Sequence, residues 1–242
     1  MNGRSMSEST DQFRRTHLRM LVPLFLISGL SLFSLPLFHP NNTCKDWLEK
    51  WGQLSVQSIW IPIHQVAAFG FAVGAGAAML LGLVGPRRRS GFLGGAFFAA
   101  GFGMMAMLTV MHATAVSVLG KAFTDSTNPA DKQMLRTMAN AFVSYDVAAE
   151  GVAVALISIG AVMLAYHLWR LGVVSTIPAL VLAGDGAICG AQYYRLMRVV
   201  HYSFPEWVPY VSLGLFLCAM GIILQLNNRE RVAVADPAPE PA

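Results

Sequence analysis

Charge is what this chain has least of. Asp, Glu, Lys and Arg together supply 12% of its 242 residues, against the ~25% usual in soluble domains. A water-soluble globule with a charged surface is excluded. The long apolar runs contain no Lys, so a retinal-type Schiff base is excluded too. No P-loop is present, so the chain does not drive itself with ATP. Six histidines spread singly are too few for the clusters of His-box membrane oxygenases. Three cysteines, Cys44 in a polar stretch and Cys189 and Cys218 in apolar ones, form neither a disulfide framework nor a CxxC metal site. The 17 basic residues give a net charge of +4 but form no stripe interleaved with aromatics, so nucleic acid is not a partner.

What is present in excess is apolar surface. Hydrophobic residues reach 55%, 22 glycines accompany them, and the mean hydropathy is +0.53. Glycine is commoner in helices that sit in lipid than in those that sit in water. The composition therefore predicts an all-α integral membrane protein with the lipid bilayer as its main partner. Six apolar stretches cover residues 20–38, 59–84, 91–119, 139–168, 171–194 and 207–226. Each is long enough, at roughly 18 residues or more, to cross a hydrocarbon layer of ~30 Å. One six-helix transmembrane domain over 20–226 is expected, with short loops. It is flanked by a basic segment 1–19 and a Pro-containing tail 227–242, both without fixed structure. No A-x-A cleavage site follows the first stretch, which is read as a retained helix and not a signal peptide.

Orientation follows from the basic residues. Arg14, Arg15 and Arg19 precede the first stretch, and Arg87, Arg88 and Arg89 fill the short loop before the third. The positive-inside rule places both groups in the cytoplasm, giving N-in and C-in topology. Short loops and compactness point to a cell membrane, a bacterial inner one. Trp47, Trp51, Trp60, Trp207 and Tyr210 then fall at the outer interface, as an aromatic belt would. Trp47 and Trp51 are four apart, which predicts a short interfacial helix. Asn128 followed by Pro129 and Asp131 has the chemistry of a helix start, so the fourth helix should begin there, in water.

Small residues four apart allow helix backbones to approach closely. Gly70 with Gly74 and Gly91 with Gly95 predict a tight hairpin of the second and third spans, and Gly186 with Gly190 offers the fifth a similar face. The same faces could also dock a partner in a larger membrane complex.

Few ionisable side chains remain at membrane depth, and each costs at least ~2.5 kcal/mol by insertion scales. They are His64, His112, Asp146, Glu150 and Asp185. At ~1.5 Å per residue, His64, His112 and Asp146 all lie about 8 to 10 Å below the outer ends of their spans. Asp146 and Glu150 stand i and i+4 on one face of the fourth helix. Two carboxylates so placed repel unless one is protonated or a cation or imidazolium sits between them. Completed by His64 and His112 they form a ligand set suited to Zn, Mn or Fe. A haem b held by the two imidazoles needs in addition a flat cleft. With no metal, the same residues form a hydrogen-bond network or a proton path. The catalytic candidates are Asp146, Glu150 and Asp185. Arg195, Arg198 and His201 form a basic patch suited to lipid headgroups or an anion, and His17, His39 and His167 are expected to face headgroups. The functional expectation is a metal-dependent or acid-base membrane enzyme acting on a lipid-like or small substrate. Its alternatives are a non-catalytic accessory subunit and a proton- or ion-coupled transporter.

Overall fold

The computed structural model describes residues 19–38, 46–83, 89–184, 186 and 208–235. Helix accounts for 92% of them, and no strand occurs among them. In chain order the helices are α1 (Arg19–Leu32), α2 (Ser34–Phe38), α3 (Trp47–Ser55), α4 (Trp60–Leu83), α5 (Arg89–Asp125), α6 (Pro129–Arg170), α7 (176–184) and α8 (Val208–Ala235).

Local chemistry sets most of the boundaries. Pro36 has no N–H to give the Leu32 carbonyl, so the first apolar run breaks at Phe33 into α1 and α2. Asp46 caps α3, accepting from the Leu48 N–H at 2.9 Å. Asn128 caps α6, accepting from the Ala130 N–H at 3.0 Å, with Pro129 in the first turn, where a missing N–H costs nothing. The fourth apolar stretch thus begins ten residues before its apolar part, as the Asn-Pro signal requires. At its other end α6 closes with a Schellman turn. Gly172 takes φ 63°, its N–H meets the Trp169 carbonyl at 2.9 Å, and the Val173 N–H meets the Leu168 carbonyl at 2.9 Å. A side chain other than glycine's would strain that left-handed position.

Three helices, α4, α5 and α6, are long and apolar enough to cross a membrane. Two shorter apolar stretches, Arg19–Leu32 and Leu213–Leu226, pack beside them. At ~1.5 Å per residue, α6 with its 42 residues runs about 63 Å, twice the ~30 Å of a hydrocarbon layer. The main core runs through α1, α4, α5, α6 and α8, with Phe25, Phe71, Phe98, Phe102 and Phe216 almost fully buried. Helix α3 lies against the C-terminal turns of α5, burying Leu48 and Leu54.

The glycine faces are distributed differently from the expected hairpin. A Cβ at Gly95 would stand 2.8 Å from the Ala78 carbonyl, and one at Gly82 would strike the Gly91 carbonyl, so these join α4 to α5. Gly70 instead faces Ser28 and Ser31 of α1, and Gly74 sits between Ser28 and Phe102. The Ser28 hydroxyl, fully buried, donates to the Gly70 carbonyl at 2.6 Å. A Cβ at Gly91 would meet the His167 ring of α6 at 2.5 Å. The expectation for Gly70 is corrected accordingly, whereas Gly91 touches Gly82 of α4 through its carbonyl and has the His167 ring of α6 as a further neighbour: spacing identified faces for close approach, but not every neighbour each face meets. Gly94, Gly101 and Gly160 form the contact between α5 and α6, and Gly186 faces Ala161. Gly190 lies outside the described residues. His167 is also corrected: expected at the headgroups, it is 0% exposed and packed against Gly91.

Candidate functional site

The end of the bundle that carries α3 holds the polar residues singled out by depth. His112 of α5 and Asp146 of α6 meet there, with Nδ1 and Oδ2 2.8 Å apart. Asp146 is 7% exposed, while the His112 side chain is 35% exposed. A carboxylate oxygen only accepts, so Nδ1 of His112 donates, and in the neutral ring the acceptor nitrogen is Nε2.

His64 stands next to the pair. Its Nδ1 donates to the carbonyl of Trp60, one turn earlier, at 2.7 Å, and its ring stacks on that of His112 at 6.1 Å with 20° between planes. Trp60 holds this arrangement in place. It is buried to 1%, its indole N–H donates to the Ala113 carbonyl at 3.1 Å, and its ring lies 4.2 Å from His64. Trp60 therefore does not belong to an interfacial belt. An indole needs one acceptor when buried, and the carbonyl next to His112 supplies it.

Two further rings complete the surroundings. Trp51 of α3 lies 6.1 Å from His112, Phe142 of α6 lies 6.2 Å from it, and the two are 6.3 Å from each other. Neither was among the residues chosen from the sequence. Spacing carried a signal for both: Phe142, Asp146 and Glu150 succeed each other at i, i+4 and i+8, and Trp51 follows Trp47 by four. The tryptophans of α3 pack edge to face at 4.9 Å.

Helix α3 is held over the site by polar contacts at its start. Arg136 of α6 donates to the Asp46 carboxylate at 2.6 Å. The Arg136 guanidinium, helped by the Leu48 and Glu49 N–H groups, holds the Asp46 carboxyl below its ordinary range against a smaller opposing effect of burial. Arg136 and Lys132 both lie over the Phe123 ring, 5.0 and 4.9 Å from its centre. Closer in, a Cβ at Gly120 would stand 2.5 Å from the Gly52 nitrogen, so two glycines let α3 touch the α5 backbone and bring Trp51 to His112.

Among the described residues no group of three or more His, Cys, Asp or Glu side chains is placed to hold a metal ion. Of the four-residue set of His64, His112, Asp146 and Glu150, the structure shows His112 and Asp146 in contact and the His64 ring on that of His112. Glu150 is half-buried one turn beyond Asp146. Asp185, Arg195, Arg198 and His201, like His17, His39, Cys44 and Cys189, lie outside the described residues.

The site thus belongs to an all-helical chain with three helices apolar and long enough to cross a membrane. Compared with known proteins, the chain matches no family model, no curated protein and no solved structure.

Proposed function

We propose that this is a multi-pass protein of the cell membrane whose His112–Asp146 pair works as an intramembrane acid-base centre on a small or lipid-like substrate. The observation that carries the reading is the 2.8 Å contact between Nδ1 of His112 and Oδ2 of Asp146, made between two long apolar helices. Ionisable groups at that level are costly and are kept for function by default. A carboxylate on one ring nitrogen fixes the tautomer and leaves the other nitrogen as the acceptor, the arrangement general bases use. Asp146 orients the imidazole, and Glu150, on the same face, is the proposed next station for the proton.

The test is proton exchange by the pair. Infrared difference spectra of the full chain in lipid, taken between about pH 5 and pH 8 where free imidazole titrates, should contain imidazole bands. The contribution of one imidazole should be missing from the spectrum of His112→Gln and altered in that of Asp146→Asn. Spectra identical in wild type and His112→Gln would sink the acid-base reading.

The six-span arrangement with N-in and C-in topology is part of the same proposal. It rests on the arginines at 14, 15, 19 and 87–89. A cysteine introduced at Ser90, at the start of α5, should resist an impermeant thiol reagent in intact cells, whereas native Cys44 should react. The opposite pattern would reverse the orientation and put the site on the cytoplasmic side.

A further inference from the structure

Phe123 of α5 is 3% exposed, yet two cations of α6 lie over its ring, the Lys132 Nζ at 4.9 Å from the centre and the Arg136 guanidinium at 5.0 Å. Like charges one helical turn apart repel, so the pair calls for an anion. Asp46 answers only part of that call. One of its oxygens accepts from Arg136, while the other caps α3. Asp125 is taken by Lys121 at 2.9 Å, and Asp131 does not face its chain neighbour Lys132, as consecutive helix residues do not. Among the described residues no carboxylate pairs with Lys132, and Arg136 donates to Asp46 alone. The ammonium donors and most of the guanidinium N–H groups therefore point to a partner outside the protein. Their level narrows what it can be. Arg136 and Lys132 precede the apolar run that starts at residue 139, by about 4.5 and 10 Å along α6. That is the depth of the headgroup layers, which thicken a ~30 Å hydrocarbon core to ~40–45 Å.

We infer that Lys132 and Arg136, stacked on Phe123, clamp the phosphodiester of an anionic phospholipid in the headgroup layer on the α3 side of the bundle. The ring keeps both long side chains in place, so less of their freedom is lost when the phosphate oxygens accept from them. Two cations and one carboxylate leave one positive charge at the ring, which a phosphodiester balances. A zwitterionic lipid brings its own ammonium to the same place, so phosphatidylglycerol is favoured over phosphatidylcholine. The inference rests on the membrane part of the proposed function and not on the His112–Asp146 centre.

The experiment places the full chain in phosphatidylcholine nanodiscs that contain rising fractions of phosphatidylglycerol brominated near its ester groups, and reads tryptophan quenching. Trp47 and Trp51 pack on the same cluster as Phe123 and report the site. Identically brominated phosphatidylcholine is the reference. Wild type should favour the anionic lipid by about fivefold, the worth of one basic side chain at a charged membrane surface. Lys132→Gln should bring that preference close to one, and Phe123→Leu should lower it by about twofold or more through loss of the ring that holds the cations. Lys121→Gln, which removes a cation already paired with Asp125, should leave it unchanged. Circular dichroism identifies a variant that fails to fold, and the comparison then rests on the other one. Equal quenching by the two lipids in wild type overturns the inference. So does a preference that Lys121→Gln lowers as much as Lys132→Gln, which is a diffuse surface charge, or one that millimolar inorganic phosphate abolishes, which assigns the clamp to a soluble anion. The two readings fail separately. Equal quenching removes the lipid site and leaves a membrane protein, whereas no quenching by either lipid removes the membrane reading itself.

Discussion

Gly160→Leu should abolish the folded bundle or lower its stability by at least about 3 kcal/mol, the upper end of what overpacking usually costs. A Cβ at this position would stand 2.5 Å from the Phe98 nitrogen, 2.7 Å from the Phe98 Cβ and 2.8 Å from the Gly94 carbonyl. Two of those atoms are backbone, so no rotamer change makes room, and α5 and α6 must separate. Gly101→Leu should behave the same way, since its Cβ would meet the Ala153 carbonyl at 2.5 Å from the other side of the same contact. Gly103 provides the control. A Cβ there meets nothing within 4 Å, and Gly103→Leu should stay within about 0.5 kcal/mol of wild type, as surface substitutions do. A thermal melt in which Gly160→Leu and Gly103→Leu behave alike would show that α5 and α6 do not touch through these glycines. Because His112 and Asp146 face each other across that contact, its loss would also separate the pair.

The fold was legible where the signal is local. Low charge, apolar run length and the Asn128-Pro129 start are properties of consecutive residues, and they located an all-helical chain and the beginning of α6. Residues 20–38, expected as one helix, instead break at Phe33, although the Pro36 that sets the break is equally local. What the sequence could not supply was rotation about each helix axis. Gly70-x-x-x-Gly74 marks a face for close packing whichever neighbour comes to it, and α1 came, bringing Ser28 and its buried hydroxyl. His167 failed for the same reason. Its position near the end of an apolar run gives a depth, but only the angle around α6 turns it onto Gly91 instead of into water.

Depth and rotation divide the candidate site in the same way. Matched depth on separate helices brings His112 and Asp146 forward together, and the two meet at 2.8 Å. Depth put His64 beside them as well, and its Nδ1 takes the Trp60 carbonyl four residues back, a local bond that orients the ring. The aromatic surroundings were overlooked because Trp51 and Trp60 read as belt residues. Each has a place in the site only because α3 folds down onto α5 and α4 starts beside Ala113. Such placement depends on a turn between helices, and periodicity says nothing of it.

Replacing His112 by Ala should cost more stability than replacing Asp146 by Ala, and replacing both should cost less than His112→Ala alone. The order follows from burial. The Asp146 side chain is 10% exposed, so removing its imidazole partner leaves a buried carboxylate without that donor, a loss of about 3 kcal/mol by analogy with broken buried pairs. The His112 side chain is 35% exposed and recovers solvent or headgroup contacts when Asp146 is truncated, so that loss should be nearer 1 kcal/mol. Removing both leaves no unsatisfied polar group, only lost packing between Trp51, Phe142 and Trp60. The coupling energy from the double-mutant cycle should therefore be about 1 to 3 kcal/mol, read from reversible unfolding in mixed micelles at one fixed pH. A coupling near zero would mean that the 2.8 Å contact between Nδ1 and Oδ2 contributes nothing to holding α5 against α6, and the pair could not then fix the imidazole as the acid-base reading requires. A sizeable coupling with the reverse order of single losses would place the less protected partner at Asp146, so that α6 and not α5 presents the group that a ligand meets.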